Sequence, residues 1–180
     1  MNDLHEIHRQ LRWSRRLSHV PRWAVAPILQ QQSVAEHCFH SARIAQWLMG
    51  MCATEHQKHY PVETELAIIK LALDHDDSEA ADGDTPSPSK PKKDYSTWSE
   101  VEVFVKVCDL LEAALHLREE QLFGNRRVQE LVEDIDERLE EVWPFFKYVG
   151  EPMRFKSWAL KERLIEVAFL SHPALEAKHD

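Results

Sequence analysis

The chain has 180 residues, 43% hydrophobic and 29% charged, proportions that exclude a disordered or fibrous protein and fit one globular domain with a sizeable core. No apolar run approaches the roughly 20 residues that span a bilayer, and the start Met1-Asn2-Asp3-Leu4-His5-Glu6 lacks the cationic and apolar parts of a secretory signal, so a cytoplasmic, membrane-free protein is expected. A net charge of −9 opposes the positive field of a nucleic-acid groove, yet leaves room for a small phosphorylated ligand held by a few local cations.

Glycine is scarce, with 4 residues, and no stretch alternates apolar and polar residues long enough for a sheet. An all-α bundle of about six helices is expected. Residues 3–18 begin the first, which ends before His19-Val20-Pro21. A loop from Pro21 to Gln32 carries Pro27 and the pair Arg22-Trp23. The second helix starts at Ser33, with Glu36 at capping-box spacing, and carries Val34, Cys38, Ser41, Ala45, Leu48 and Cys52 at steps of three and four. A third spans about Val62 to Ala81 behind Pro61; Leu66, Ala67, Ile68, Ile69, Leu71, Ala72 and Leu73 make it apolar on most sides, the pattern of a buried central helix. Gly83, Pro86, Pro88 and Pro91 turn residues 82–96 into a loop. Ser99 to Phe123 form a fourth helix, seamed by Val101, Phe104, Cys108, Leu111 and Leu115 and ended by Gly124-Asn125. Arg126 to Val142 form a fifth, with Val128, Leu131, Val132, Ile135, Leu139 and Val142 along one face; Pro144 stops it, and a last helix runs from about Lys156 to Leu170. No repeat or long linker divides the chain. Residues 1–180 are read as one domain, with helices 126–143 and 156–170 packed on it. Cys38, Cys52 and Cys108 sit inside apolar patterns and read as small core residues.

Three places combine metal-competent side chains with these elements. His37 lies in the opening turn of the second helix, Asp74-His75-Asp76-Asp77-Ser78-Glu79 closes the third, and Asp109 interrupts the fourth beside Cys108 and Leu110. An ionised aspartate on an apolar helix is costly unless it is paired or binds a metal. A cation between His75-Asp76 and Asp109 would stabilise both carboxylates, and imidazole plus carboxylate suits first-row divalent metals. Four ligands from three helices would leave positions for water and a phosphate oxygen, the open coordination that hydrolysis needs.

Each residue alone also has a plainer reading. His37 would be a surface or hydrogen-bonded histidine, Asp109 a salt-bridge partner of Lys106 or Arg118, and His75-Asp76 solvated polarity at a helix end. Their joint occurrence favours the metal. Glu79, four residues after His75 and three after Asp76, shares their face of a continuous helix, where a carboxylate can take a proton from water. Arg22 offers a planar fork to phosphate and Trp23 a flat apolar wall, although Trp23 reads equally as a core or rim tryptophan. Lys90, Lys92 and Lys93 form either a solvated basic loop or a steering patch for an anionic substrate. His116, seven residues past Asp109, is expected to face solvent, which leaves a single-metal site.

The string Ser33-x-x-Glu36-His37, then His75-Asp76 with Glu79 and Asp84, then Asp109 resembles the H…HD…D signature of HD-domain phosphohydrolases. The Arg22-Trp23 pair and the run His75, Asp76, Glu79, Gly83, Asp84, Pro86, Pro88 and Lys90 are similar to the 5′-deoxynucleotidase branch, which includes the phage dATP triphosphohydrolases. The likeness covers roughly residues 12–122. It implies metal ligands at His37, His75, Asp76 and Asp109, holding one divalent ion, Co2+, Mn2+ or Zn2+ ahead of Mg2+. It implies that Glu79 and Asp84 work near the attacking water or leaving oxygen, that Arg22 and Lys90 hold phosphate oxygens, and that Trp23 lies against the deoxyribose and disfavours a 2′-hydroxyl. It also implies a homo-oligomer. Only 33 positions separate Asp76 from Asp109, fewer than in the 5′-deoxynucleotidases. The expected function is hydrolysis of a 2′-deoxynucleotide at its 5′-phosphate ester, releasing triphosphate from dATP or another deoxynucleoside triphosphate. Release of inorganic phosphate from a monophosphate is the alternative, and a nucleotide-binding regulatory domain is the alternative outside enzymes.

Overall fold

The structure is a computed structural model that describes residues 4–84 and 93–169. Its helices are α1 (Leu4–Leu17), α2 (Val34–His56), α3 (Val62–Asp74), the single turn α4 (Glu79–Asp82), α5 (Glu100–Leu122), α6 (Gln129–Val142) and α7 (Ser157–Phe169). Short 3-10 turns cover Tyr95–Thr97, Arg126–Val128 and Trp143–Phe145. The all-α expectation holds apart from one small hairpin, in which β1 (Lys147–Tyr148) pairs antiparallel with β2 (Glu151–Pro152). Its connecting residues Val149 and Gly150 both have positive φ, 51° and 76°, the backbone that a two-residue hairpin turn requires. Strands of two residues leave no alternation to read in a sequence.

The two longest helices begin alike. Ser33 Oγ accepts the Glu36 N–H at 3.2 Å while the Glu36 carboxylate accepts the Ser33 N–H at 2.7 Å, as the capping-box spacing anticipates. Ser99 and Glu102 repeat the arrangement at the start of α5.

The central helix is α5. From Val103 to Ala113 every residue but Lys106 is buried, and α2, α3, α6 and α7 all pack against it. The apolar pattern assigns that place to the third helix, and this is corrected. Among its residues α3 buries only Ile68 and Ala72, while Leu66 is 65% exposed and Val62 and Leu73 also face outward. Apolar residues around a helix permit burial on every side; neighbours covering one side leave the rest in water.

A second correction bears on the site. The third helix ends at Asp74, not near Ala81. Continuing it would place Asp74, Asp76 and Asp77 at the negative end of the helix dipole. The chain turns instead, with Asp77 N–H on the Asp74 carbonyl at 3.1 Å and Glu79 N–H on the Asp76 carbonyl at 2.9 Å, then restarts as α4. His75 therefore caps one helix while Glu79 opens the next, and they do not share a face of a continuous helix.

The loop before α2 is closed at its base. Pro21 and Ser33 form an isolated β-bridge, and the Arg22 N–H donates to the Gln32 carbonyl at 2.8 Å. Its tip is anchored to α5 by Glu120, fully buried, which accepts the N–H groups of Leu29 at 2.8 Å and Gln30 at 2.6 Å. Asn125 joins the same carboxylate and also donates to the Pro27 carbonyl at 2.7 Å. All three cysteines are buried free thiols. No helix among the described residues is long and apolar enough to cross a membrane.

Candidate metal centre

His37 stands one turn into α2, where its N–H bonds the carbonyl of the cap residue Ser33 at 3.1 Å and its ring is fully buried. Ring atom Nδ1 is hydrogen-bonded to the carboxylate of Glu112 on α5. A carboxylate only accepts, so in the neutral ring Nδ1 carries the proton and Nε2 the lone pair. His75 reaches the same state by a different route. Its Nδ1 donates to the Ala72 carbonyl at 2.9 Å, which also leaves Nε2 bare.

The two Nε2 atoms face one another at 3.2 Å. Asp109 Oδ1 lies 3.1 Å from His37 Nε2 and 4.0 Å from His75 Nε2; Asp76 Oδ2 lies 3.7 Å and 3.4 Å from the same atoms. Four electron-rich atoms converging in a largely buried place repel one another unless a cation lies among them. The ligand atoms of His37, His75 and Asp76 all fall within 4.8 Å of each other, with Asp109 beside His37. Two imidazole nitrogens and carboxylate oxygens fit a divalent transition metal.

In the protein alone, side-chain cations answer the carboxylates. Arg22 reaches Asp76 Oδ2 with Nη1 at 3.4 Å and Asp109 Oδ1 with Nη2 at 3.5 Å. Lys106 holds the other oxygen of Asp109 at 2.5 Å. Burial opposes ionisation of Asp109, but Lys106 and His37 outweigh it and keep the carboxyl well below the usual carboxylate range. The two readings of Asp109, ion-pair partner and cluster member, thus describe one residue.

Arg22 owes its aim to its neighbour. Trp23 adopts φ 62°, the left-handed region that a bulky residue occupies only under constraint. The constraint is Asp84, whose Oδ2 accepts the Trp23 N–H at 2.7 Å. Gly83, at φ 79°, turns the chain after α4 so that Asp84 can do so. The Trp23 ring is 4% exposed and packs in the core, with the Arg22 guanidinium 5.3 Å from its centre. Glu79 is buried at the first position of α4. Lys90, with Pro86, Pro88 and Lys92, lies outside the described residues. A pocket of about 300 Å³ opens from His75, Asp76 and Asp109, walled by Leu71, Tyr95 and Trp98 and by the cations Lys93, Lys106 and Arg138.

Spacing alone does not single out Glu112 or its second partner Gln32, whose amide donates to the other Glu112 oxygen at 2.7 Å. A signal exists in the stripe Asp109, Glu112 and His116, which follows at i, i+3 and i+7 on an apolar helix. The expectation that His116 faces solvent is corrected. It is 7% exposed, because α5 is covered along this turn as well, and it joins no metal-competent cluster among the described residues.

Residues 10–97, which include His37, His75, Asp76, Glu79 and Asp84, match the profile of the YfbR-like 5′-deoxynucleotidase family. Over that segment the chain is similar to the YfbR-like family. The fold is similar to that of PH0347 from Pyrococcus horikoshii, with a TM-score of 0.61 and 20% identity over 88% of this chain and 96% of that one. It is also similar to the HD phosphohydrolase DatZ of cyanophage S-2L, solved with dA and one catalytic Zn2+, with a TM-score of 0.58 and 22% identity over 87% and 96% of the two chains. The coding region AF1432 of Archaeoglobus fulgidus gives a TM-score of 0.50 and 26% identity over 91% and 95%. No curated protein matches the chain.

Proposed function

We propose that this chain cleaves the 5′-phosphate ester of 2′-deoxynucleotides, with a deoxynucleoside triphosphate, dATP foremost, as substrate and triphosphate as a product. The observation that carries the reading is the meeting of the His37 and His75 Nε2 atoms with Asp76 and Asp109, next to a pocket lined by His75, Asp76, Asp109, Lys93, Lys106 and Arg138. The family description and the dA in the cyanophage structure support a deoxynucleotide.

A divalent ion held by His37, His75, Asp76 and Asp109 would acidify a water and polarise a phosphoryl oxygen. The remaining work falls to the chain. Glu79, buried beside this segment, accepts a proton from the attacking water. The water oxygen bonds to the α-phosphorus, and the bond from phosphorus to O5′ breaks with its electron pair on O5′. That oxygen takes up the proton through Glu79 and Asp84. Arg22 turns its fork to the equatorial oxygens as their charge grows, and Lys90 joins it there. For Trp23, burial supports a role beneath Arg22 over a direct wall for the sugar. Lys93, Lys106 and Arg138 in the pocket, beside Glu102, offer partners for the β- and γ-phosphates, and this favours the triphosphate.

The second reading, a 5′-deoxynucleotidase acting on monophosphates, breaks the same bond and draws on the family description. Product analysis separates the two. Protein loaded with Co2+, Mn2+, Zn2+ or Mg2+ is given dATP and dAMP, and the released anions are resolved by ion chromatography. Triphosphate from dATP is expected. Inorganic phosphate from dAMP with dATP left intact would establish the second reading, and no product with any ion would sink both.

A further inference from the structure

Glu112 takes no part in the reaction as proposed, yet it is buried against one of the residues that the reaction needs. We propose that Glu112 is a positioning residue of the metal centre: it fixes His37 in the tautomer that can bind a cation, and Gln32 holds Glu112 in place to do so. The inference rests on the metal-centre reading above.

A neutral imidazole has one proton, and the group facing each nitrogen decides where it sits. Glu112 faces Nδ1 of His37 and can only accept. The proton stays on Nδ1, and the lone pair of Nε2 points at His75, Asp76 and Asp109. With the ring fully buried, no water is at hand to take over that hydrogen bond. The other proton location would aim an N–H at the place where a cation must sit.

The two histidines differ in what they need from the rest of the fold. His75 is set by the Ala72 carbonyl, three residues back in its own turn. His37 has no such local partner for Nδ1; its acceptor comes from α5, 75 positions along the chain. The same helix carries Asp109 one turn earlier, and the i, i+3 spacing sets both carboxylates on one face. Helix α5 thus supplies one cluster residue directly and orients another. Gln32 completes the arrangement by bonding the second Glu112 oxygen at 2.7 Å from the base of the loop that also presents Arg22. Second partners of this kind on metal-bound histidines change metal affinity by about 10- to 100-fold when removed.

The test uses the full chain, with Zn2+ affinity measured against a chromophoric chelator and the His37 ring nitrogens followed by 15N NMR. The parent should bind one ion with Nδ1 protonated. Glu112→Ala should weaken binding by about 10- to 100-fold and give His37 nitrogen shifts of mixed tautomers. Glu112→Gln, which keeps the volume and one acceptor, should fall between, and Gln32→Ala should show a smaller loss. If the alanine variant does not fold, the glutamine variant decides. Folded variants with parental Zn2+ affinity and an unchanged His37 ring would reduce Glu112 to a buried ion pair and overturn the inference while leaving the metal centre intact. A parent that binds no ion would overturn the metal-centre reading itself, and this inference with it.

Discussion

Asp76 is met by one guanidinium nitrogen of Arg22 and by the Nε2 atoms of two imidazoles. Removing its carboxylate leaves three converging groups with one fewer negative charge to attract an ion. Asp76→Ala is expected to empty the site and to lower turnover by about 1000-fold or more, the scale on which loss of one charge-stabilising group acts in a water-poor site. Metal analysis and a turnover assay on the same preparation check both; an Asp76→Ala protein that keeps its ion and its rate would exclude this residue from the centre. At this scale much was legible in the sequence. His37, His75, Asp76 and Asp109 announce themselves because metal-competent side chains on apolar helices need a reason to be there. Glu112 is marked only by its place in the stripe with Asp109 and His116, because a glutamate at a helical position normally reads as solvated surface, and its contact with His37 lies 75 positions away.

Among the elements, the loop between α1 and α2 depends most on a single side chain. Glu120 is buried, and burial alone would favour its protonated form. The hydrogen bonds from Asn125, Leu29 and Gln30 outweigh that and hold its carboxyl below the ordinary range. The folded value lies below the unfolded one, so the contribution to stability is complete above the unfolded range near pH 4.3 and is lost as pH falls through the folded value. Glu120→Gln puts an amide NH2 among backbone donors and should cost about 2 kcal/mol at pH 7. Urea unfolding at pH 7 and pH 3.5 is the measurement. The parent should lose more stability between the two than the variant, and equal losses would remove Glu120 from the acid response. Reading Pro21 to Gln32 as a loop needs only its prolines. What ties it down is hidden, since Arg118-Glu119-Glu120-Gln121 looks like an ordinary solvated face. The early end of α3 is hidden for a similar reason: the apolar period runs on toward Ala81, while the cost of three aspartates at a helix end is electrostatic and leaves no period.

For the whole molecule, the proposed centre joins α2, the turn after α3, and α5, so an ion bound there would tie together segments that pack around one core. Binding to the folded chain alone stabilises it by about 2.7 kcal/mol at 100 times the dissociation constant. Chelation should therefore lower the midpoint of thermal unfolding, and adding back Zn2+, Co2+ or Mn2+ should restore it; a midpoint indifferent to both would place the ion elsewhere. The helical class was legible from periodicity at this scale, but the arrangement was not. Hydrophobic abundance marks α3 as a candidate centre, whereas α5, with Lys106, Asp109, Glu112 and His116 along it, occupies that position. Its ionisable residues disguise a core helix because their partners come from other elements. Arg22 carries this mutual dependence into the chemistry. With its guanidinium on Asp76 and Asp109, it stands in for the charge that an ion would bring. A phosphate that drew Arg22 away would uncover both carboxylates and strengthen their hold on an ion, and by reciprocity the ion would strengthen the hold on phosphate by the same factor. On the proposed function, metal and nucleotide would then form a cooperative pair, and scarcity of either would lower occupancy by both.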